Sequence, residues 1–296
     1  MSDVVADLRV AREQFLALVA DVRPELHRYC ARMTGSIADG EDVVQDTLAR
    51  AYYALPELDP LPPLRPWLFR IAHNRALDHN RRYDRRMRDP LDDGALLDTA
   101  NDPADSLAHG EAVRAAVSLF LELPPTQRSC VILKDVLGHS LDELAAILVT
   151  TVPAVKAALH RGRMRLAELR STEVPIARAA SPEVTRYAAL FNARDWDAVR
   201  ALLADDVRLD LAGRVQRAGR GEVGSYFTNY DKIHDWHLVP AWLDGREVLA
   251  VFRDPQAASP YYFVQLDIVD GKIAGIHDFR YVPYIVAEAA IVLAPP

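Results

Sequence analysis

Two arginine-rich stretches carry the chemistry that is easiest to name. Leu64 to Asp89 holds eight arginines (65, 70, 75, 81, 82, 85, 86 and 88) against three aspartates, with Trp67, Phe69, His73 and Asn74 set among them. Rings stack on unpaired bases while guanidinium groups hold the phosphate backbone, so this stretch suits single-stranded nucleic acid. Val152 to Arg170 holds five basic residues against Glu168. Ahead of both, Asp39, Glu41, Asp42, Gln45 and Asp46 form an acidic segment that repels phosphate and suits a basic protein surface. Near the other end, His234, Asp235, His237, His277 and Asp278 are a pool of groups able to move protons. Consecutive strand residues face opposite ways, so His277 and Asp278 do not line one pocket together. Cys30 and Cys130 stand far apart without partners at metal or redox spacing, which reads as two buried thiols. No metal site and no cofactor are implied.

The elements that must position these residues follow from periodicity. The chain of 296 residues is long for one core, and its hydrophobic share of 50% excludes wholesale disorder. No apolar run reaches the ~18 residues of a membrane span and the start shows no export signal, so the expected location is the cytoplasm with no membrane partner. The net charge of −7 argues against a chain that coats nucleic acid along its length. Residues 181–296 hold 12 Lys and Arg against 16 Asp and Glu, and the remainder 23 against 26, so neither half is basic as a whole. Charge is sorted locally.

Phe15, Leu18, Val19, Val22, Leu26, Tyr29, Cys30 and Met33 predict one helix kinked at Pro24. Val44, Leu48, Ala51 and Leu55 predict a second, and Trp67, Leu68, Ile71 and Ala72 a third after a proline-stiffened loop from Pro56 to Pro66. Helical patterns return over Glu111–Leu123 and Thr126–Leu137. Ser140 and Glu143 then form a capping box ahead of a short helix, a turn at 149–151, and a basic helix with Val155, Leu159 and Leu166 inward. Short helix, tight turn and basic helix follow helix-turn-helix logic. In that geometry Thr151, Pro153, Ala154, Lys156, Ala157, His160 and Arg161 face bases or flanking phosphates.

Four strings carry a family resemblance: Asp39-Gly-Glu-Asp-Val-Val-Gln-Asp46, Leu64-Arg-Pro-Trp-Leu-Phe-Arg-Ile-Ala-His-Asn-Arg-Ala-Leu-Asp78, Leu123-Pro-Pro-Thr-Gln-Arg128 and Val155-Lys-Ala-Ala-Leu-His-Arg161. In this order they resemble the extracytoplasmic-function (ECF) group of the sigma-70 family. The resemblance implies that 11–88 is region 2, a helical bundle that binds the clamp helices of core RNA polymerase and opens the −10 element. It implies that 89–110 is a linker and that 111–170 is region 4, which reads the −35 element and docks on the polymerase flap. Asp39, Glu41, Asp42, Gln45 and Asp46 would then meet polymerase, and Arg65, Trp67, Arg70, His73, Asn74, Arg75 and Arg81 the −10 strand. The last helix departs from the family pattern at Ala157-Ala158, where Ser-Arg is usual.

Residues 181–296 change character. Ser181-Pro182-Glu183 starts a helix, Trp196, Val199, Leu202 and Leu203 continue into a second, and Gly221–Tyr230 reads as a third. Strands follow at Trp236–Leu243, Val248–Arg253, Tyr261–Val269 and Lys272–Tyr281, the last two joined by the hairpin signal Asp270-Gly271. The order, with Phe191-Asn-Ala-Arg-Asp-Trp-Asp197, resembles the SnoaL-like family, an α+β cone with a pocket. His234, His237, His277 and Asp278 are its candidate pocket residues, and a small-molecule ligand is a partner to consider. The expected fold is therefore multidomain: two all-α sigma domains followed by an α+β cone. The leading function is a sigma factor, not an enzyme, whose activity the cone modulates. The alternatives are a one-component ligand-sensing regulator, and a cyclase or isomerase fused to a DNA-binding segment.

Overall fold

The computed structural model describes residues 13–60, 62–87, 117–169, 178–212, 214–227, 236–254 and 256–295. The chain divides into two compact units, Met1–Glu173 and Val174–Pro296.

In the first unit a helical run over 13–19 leads through a turn into α1 (Arg23–Thr34). The single kinked helix expected across Pro24 is thus two helices: Pro24 sits in the first turn of α1, where its missing N–H costs no hydrogen bond. Gly35, at φ +71°, ends α1, and Ser36 caps α2 (Ile37–Ala54) by accepting a 3.2 Å bond from the Asp39 amide. After a 3-10 turn (Leu55–Glu57), α3 runs from Leu64 to Met87. At Gly40 the backbones of α1 and α2 nearly touch, since a Cβ there would lie 2.5 Å from Ala31 Cα. Gly40→Ala is expected to force the two helices apart and lower stability by about 2 kcal/mol, read as a shifted urea midpoint with unchanged slope.

The chain continues with a 3-10 segment (Val117–Glu122), α4 (Pro125–Val131) widening into a π turn (Ile132–Val136), α5 (Leu141–Leu148) and α6 (Val152–Leu169). The helix expected over 111–123 falls partly outside the described residues, and its described part is the 3-10 segment. One apolar core runs from Phe15 to Leu166, so α1–α3 and α4–α6 are packed together. Tyr29, Met33 and Leu68 from the first group and Phe120, Cys130 and Leu133 from the second are all fully buried in it. Both cysteines are free and buried.

In the second unit, α7 (Pro182–Asn192) and α8 (Trp196–Ala201) precede β1 (Leu203–Leu211) and β2 (Val215–Ala218), followed by α9 (Arg220–Tyr226). Then come β3 (His237–Leu243), β4 (Arg246–Phe252), β5 (Tyr262–Val269), β6 (Lys272–Asp278), a 3-10 turn (Pro283–Glu288) and β7 (Val292–Leu293). They form one seven-stranded sheet in the order β2-β1-β6-β5-β4-β3-β7, with β1 parallel to β6. Leu203, expected on a helix, is instead the buried first residue of β1. The strand β2 had no signature to read, because all four of its side chains are exposed and nothing alternates. Asp270-Gly271 makes the expected hairpin with positive φ at both residues, and Asp244-Gly245 does the same between β3 and β4. The apolar tail packs on its own unit: Val282 and Ile285 are buried and β7 pairs with β3.

Candidate nucleic-acid and polymerase interfaces

The α5–α6 pair is built from its caps outward. Ser140 and Glu143 exchange backbone bonds, Glu143 Oε2 accepting from Ser140 N at 2.8 Å and Ser140 Oγ from Glu143 N at 3.2 Å. The bond from the Ser140 amide holds the Glu143 carboxyl below its usual range. A break of three residues turns the chain by 99° into α6, close to the crossing of a helix-turn-helix. Thr151 caps α6 by accepting a 3.4 Å bond from the Ala154 amide. Val155, Ala158, Leu159, Gly162 and Leu166 face inward. Gly162 lets α6 lie against α4, because a Cβ there would meet the Val131 side chain at 2.7 Å. Thr151, Pro153, Ala154, Lys156 and His160 are exposed, and Ala157 and Arg161 half-buried, so all seven residues expected at bases or phosphates share the accessible side of one helix. Arg163 does not join them. Its Nε and Nη2 donate to Asp135 at 2.9 and 2.6 Å, and Asp135 is buried.

The turn contains one strained residue. Val149 ends α5 at φ +52°, a left-handed conformation that a β-branched side chain resists, and it is 78% exposed. Val149→Gly is expected to raise the thermal midpoint, by relief of about 1 kcal/mol, as measured by calorimetry.

The acidic segment on α2 divides. Asp42 and Asp46 are exposed, Asp39 and Gln45 half-buried, and Glu41 is fully buried with its carboxylate 2.5 Å from Arg23 Nη2. Glu41 therefore holds α1 to α2 and presents nothing to a partner in this conformation. On α3, Arg70, Asn74 and Arg81 are exposed, as is Arg65, which pairs with Glu25 at 2.5 Å. Trp67 is a core side chain, 7% exposed. Arg75 donates to Asp78 and reaches Asp46 at 3.3 Å, so the acidic and basic faces meet along the α2–α3 seam.

His73 is drawn inward. Its Nδ1 lies 2.8 Å from Tyr29 Oη and 3.0 Å from Ser129 Oγ, and those two oxygens are 3.0 Å apart. Burial lowers the His73 pKa to about 4, which keeps the ring neutral at physiological pH, and raises that of Tyr29. Beside it, Phe69 meets the His139 ring edge-on at 4.9 Å. Sequence reasoning missed this network because it joins residues up to 100 positions apart.

In the second unit the candidate pocket residues do not converge. His234 lies outside the described residues. Asp278 is fully buried, accepting from Tyr226 Oη and from the Arg280 amide at 2.8 Å. His277 faces the other way and lies 2.8 Å from Asp267, whose carboxyl this bond holds below its usual range. His237 is half-buried at the start of β3. Tyr226, the partner of Asp278, had no motif to announce it. Among the described residues no cluster of His, Cys, Asp and Glu could hold a metal, and no single helix is long and apolar enough to cross a membrane.

A helical bundle, a helix-turn-helix with a basic face and a cone-type sheet define the class. Residues 18–86 match Sigma-70 region 2, residues 114–166 Sigma-70 region 4 and residues 184–276 a SnoaL-like domain. The ECF RNA polymerase sigma factor SigG of Mycobacterium tuberculosis is 35% identical over 217 residues, 63% of this chain and 58% of that one. The chain thus spans under two thirds of the length of that relative. The ECF RNA polymerase sigma factor EcfG of Rhodopseudomonas palustris is 31% identical over 53% of this chain and 83% of its own. Among solved structures, the extracytoplasmic function sigma factor SigJ of Mycobacterium tuberculosis aligns over 89% of this chain and 95% of its own, at 21% identity and a TM-score of 0.36. The chain belongs to the ECF RNA polymerase sigma factors.

Proposed function

We propose that the protein is a transcription initiation factor of the cytoplasm that brings core RNA polymerase to a set of promoters. The observation that carries this reading is the α5–α6 pair, which crosses at 99° as the helices of a helix-turn-helix do and leaves the seven expected contact residues on the accessible side of a basic helix. Lys156 and Arg161 supply phosphate or base contacts there, and Arg70, Asn74 and Arg81 on α3 supply contacts to an opened strand. Asp42 and Asp46, flanked by Asp39 and Gln45, supply the acidic face for polymerase. The protein carries out no covalent chemistry in this role. The cone tunes initiation.

Run-off transcription with purified core polymerase tests the reading. A promoter-dependent transcript is expected from the full chain or from a version ending near residue 170, and its absence from both sinks the proposal. Reversing charge with Asp42→Lys and Asp46→Lys is expected to weaken polymerase binding roughly tenfold or more, with the steepest loss at low salt. Affinity for duplex promoter DNA without polymerase should not change in the same variant.

A further inference from the structure

At one end of the sheet in the second unit, cations and rings alternate. His237 pairs with Phe252, Val251 with Tyr262, Val264 with Asp278, and Leu211 with both Asp278 and Val215. These pairings set the start of β3, the end of β4, the start of β5, the end of β6 and the β1–β2 turn side by side. Just past them stand Trp236, Arg253, Tyr261, Arg280, Tyr281 and Arg214. The Arg253 guanidinium lies 3.9 Å from the centre of the Tyr261 ring and 4.8 Å from that of Trp236. Arg280 lies 4.7 Å from the Trp236 ring and 5.8 Å from Tyr281, and Arg214 lies 4.3 Å from the Tyr281 ring. Six side chains thus alternate ring and cation without a break.

Charge makes the pattern consequential. Guanidinium groups that share a ring lie within about 10 Å of each other, close to the Debye length at ordinary ionic strength, so neighbouring cations repel. Among the described residues neither Arg214 nor Arg253 is paired with a carboxylate. Asp254, next to Arg253 in the chain, turns to its own loop and accepts from the Gln256 amide at 2.9 Å. Asp278 accepts from Tyr226 Oη and from the Arg280 amide. Arg214 and Arg253 are exposed, and Tyr261 and Tyr281 are 40% and 41% exposed. A guanidinium laid over a ring still offers its edge donors to a phosphate, and an open ring face accepts a base. Trp236, 3% exposed, is the fixed post between Arg253 and Arg280.

We propose that this end of the sheet binds an unpaired DNA strand, with bases stacked on Tyr261 and Tyr281 and phosphates held by Arg253, Arg280 and Arg214. A strand fits better than a lone phosphate, which would meet one cation and leave both rings bare. A duplex fits worse, because its bases already stack on each other and offer no free face. The site goes beyond the contacts assigned to α3 and α6. The choice of DNA rests on the sigma factor reading, in which promoter strands are opened.

The test is fluorescence anisotropy of a labelled oligothymidylate, and of a duplex of the same length, titrated with the full chain without polymerase. The chain carries Arg70→Gln and Arg81→Gln throughout, so that strand contacts on α3 do not mask the change. Adding Arg214→Gln with Arg253→Gln is expected to weaken oligothymidylate binding about tenfold at low salt. The slope of log affinity against log salt should flatten by about 1.4, since each contact to a single-strand phosphate contributes about 0.7. Adding Tyr261→Leu with Tyr281→Leu instead should weaken binding at least about tenfold with the slope little changed. All four positions are exposed, so the fold is kept. The proposal is overturned if the starting chain does not bind the oligothymidylate, if neither pair of changes weakens binding, if duplex binding falls equally, or if the arginine pair alone matters, which would mark a general anion site. Failure of the sigma factor reading would look different: run-off transcription would yield no promoter-dependent transcript, while the losses in strand binding would stand.

Discussion

Arg128→Ala is expected to cost about 4 kcal/mol. The side chain is 5% exposed, and it donates to four backbone contacts: Leu123 O from Nε at 3.3 Å and Nη2 at 2.9 Å, Leu121 O from Nη2 at 3.0 Å, and Met33 O from Nη1 at 2.6 Å. Hydrogen bonds to a charged group contribute roughly 1.5–3 kcal/mol each, and alanine takes these donors from the Leu121 and Leu123 carbonyls while Met33 O keeps the bond from Asn80 Nδ2 at 2.8 Å. Lysine restores the charge but cannot fork toward two directions at once, so Arg128→Lys should recover less than half of the loss. Chemical denaturation of the three proteins gives the comparison. A lysine variant as stable as wild type would show that charge rather than fork geometry holds the loop.

The second large effect separates two carboxylates one position apart. Glu41→Ala is expected to destabilise by about 3–5 kcal/mol, because it removes the buried carboxylate that pairs with Arg23, itself only 17% exposed. Replacing both partners together, Arg23→Met with Glu41→Leu, should recover most of that stability, since the desolvation penalty leaves with the charges. Asp42→Lys, on the exposed side of the same helical turn, should stay within about 0.5 kcal/mol of wild type and act only on binding. Equal destabilisation by Glu41→Ala and Asp42→Lys would refute the division.

The same pair of residues shows where the sequence was legible. Spacing placed Asp39 to Asp46 on one helix, but a run of alternating acids cannot reveal that Glu41 turns to a partner on the preceding helix. The helix-turn-helix was legible because every device in it is local: a capping box spanning four residues, a three-residue turn, and inward positions at steps of three and four. The Tyr29–His73–Ser129 network was not, because its members look like ordinary helix residues until three distant segments meet. Trp67 illustrates the opposite error. An aromatic among arginines reads as a base-stacking ring, but helical spacing points it at the core, where burying a large apolar surface outweighs exposure. In the second unit, β3 to β6 were visible from their apolar runs and the Asp270-Gly271 signal, whereas β1 was hidden behind the end of a helical pattern and β2 has all four side chains exposed.

The two-residue strand β7 lies along β3, where it pairs Ala241 with Leu293 and Trp242 with Val292, and the Ala294 amide donates to the Pro240 carbonyl at 2.9 Å. A sheet margin left bare is a template on which another chain can add a strand. The opposite margin is guarded by the short, arginine-bearing β2. Those few residues therefore act as a selvedge: they keep one molecule from being stitched to the next, so a protein shortened by its last half-dozen residues would be prone to self-association through β3 while its interior stayed intact.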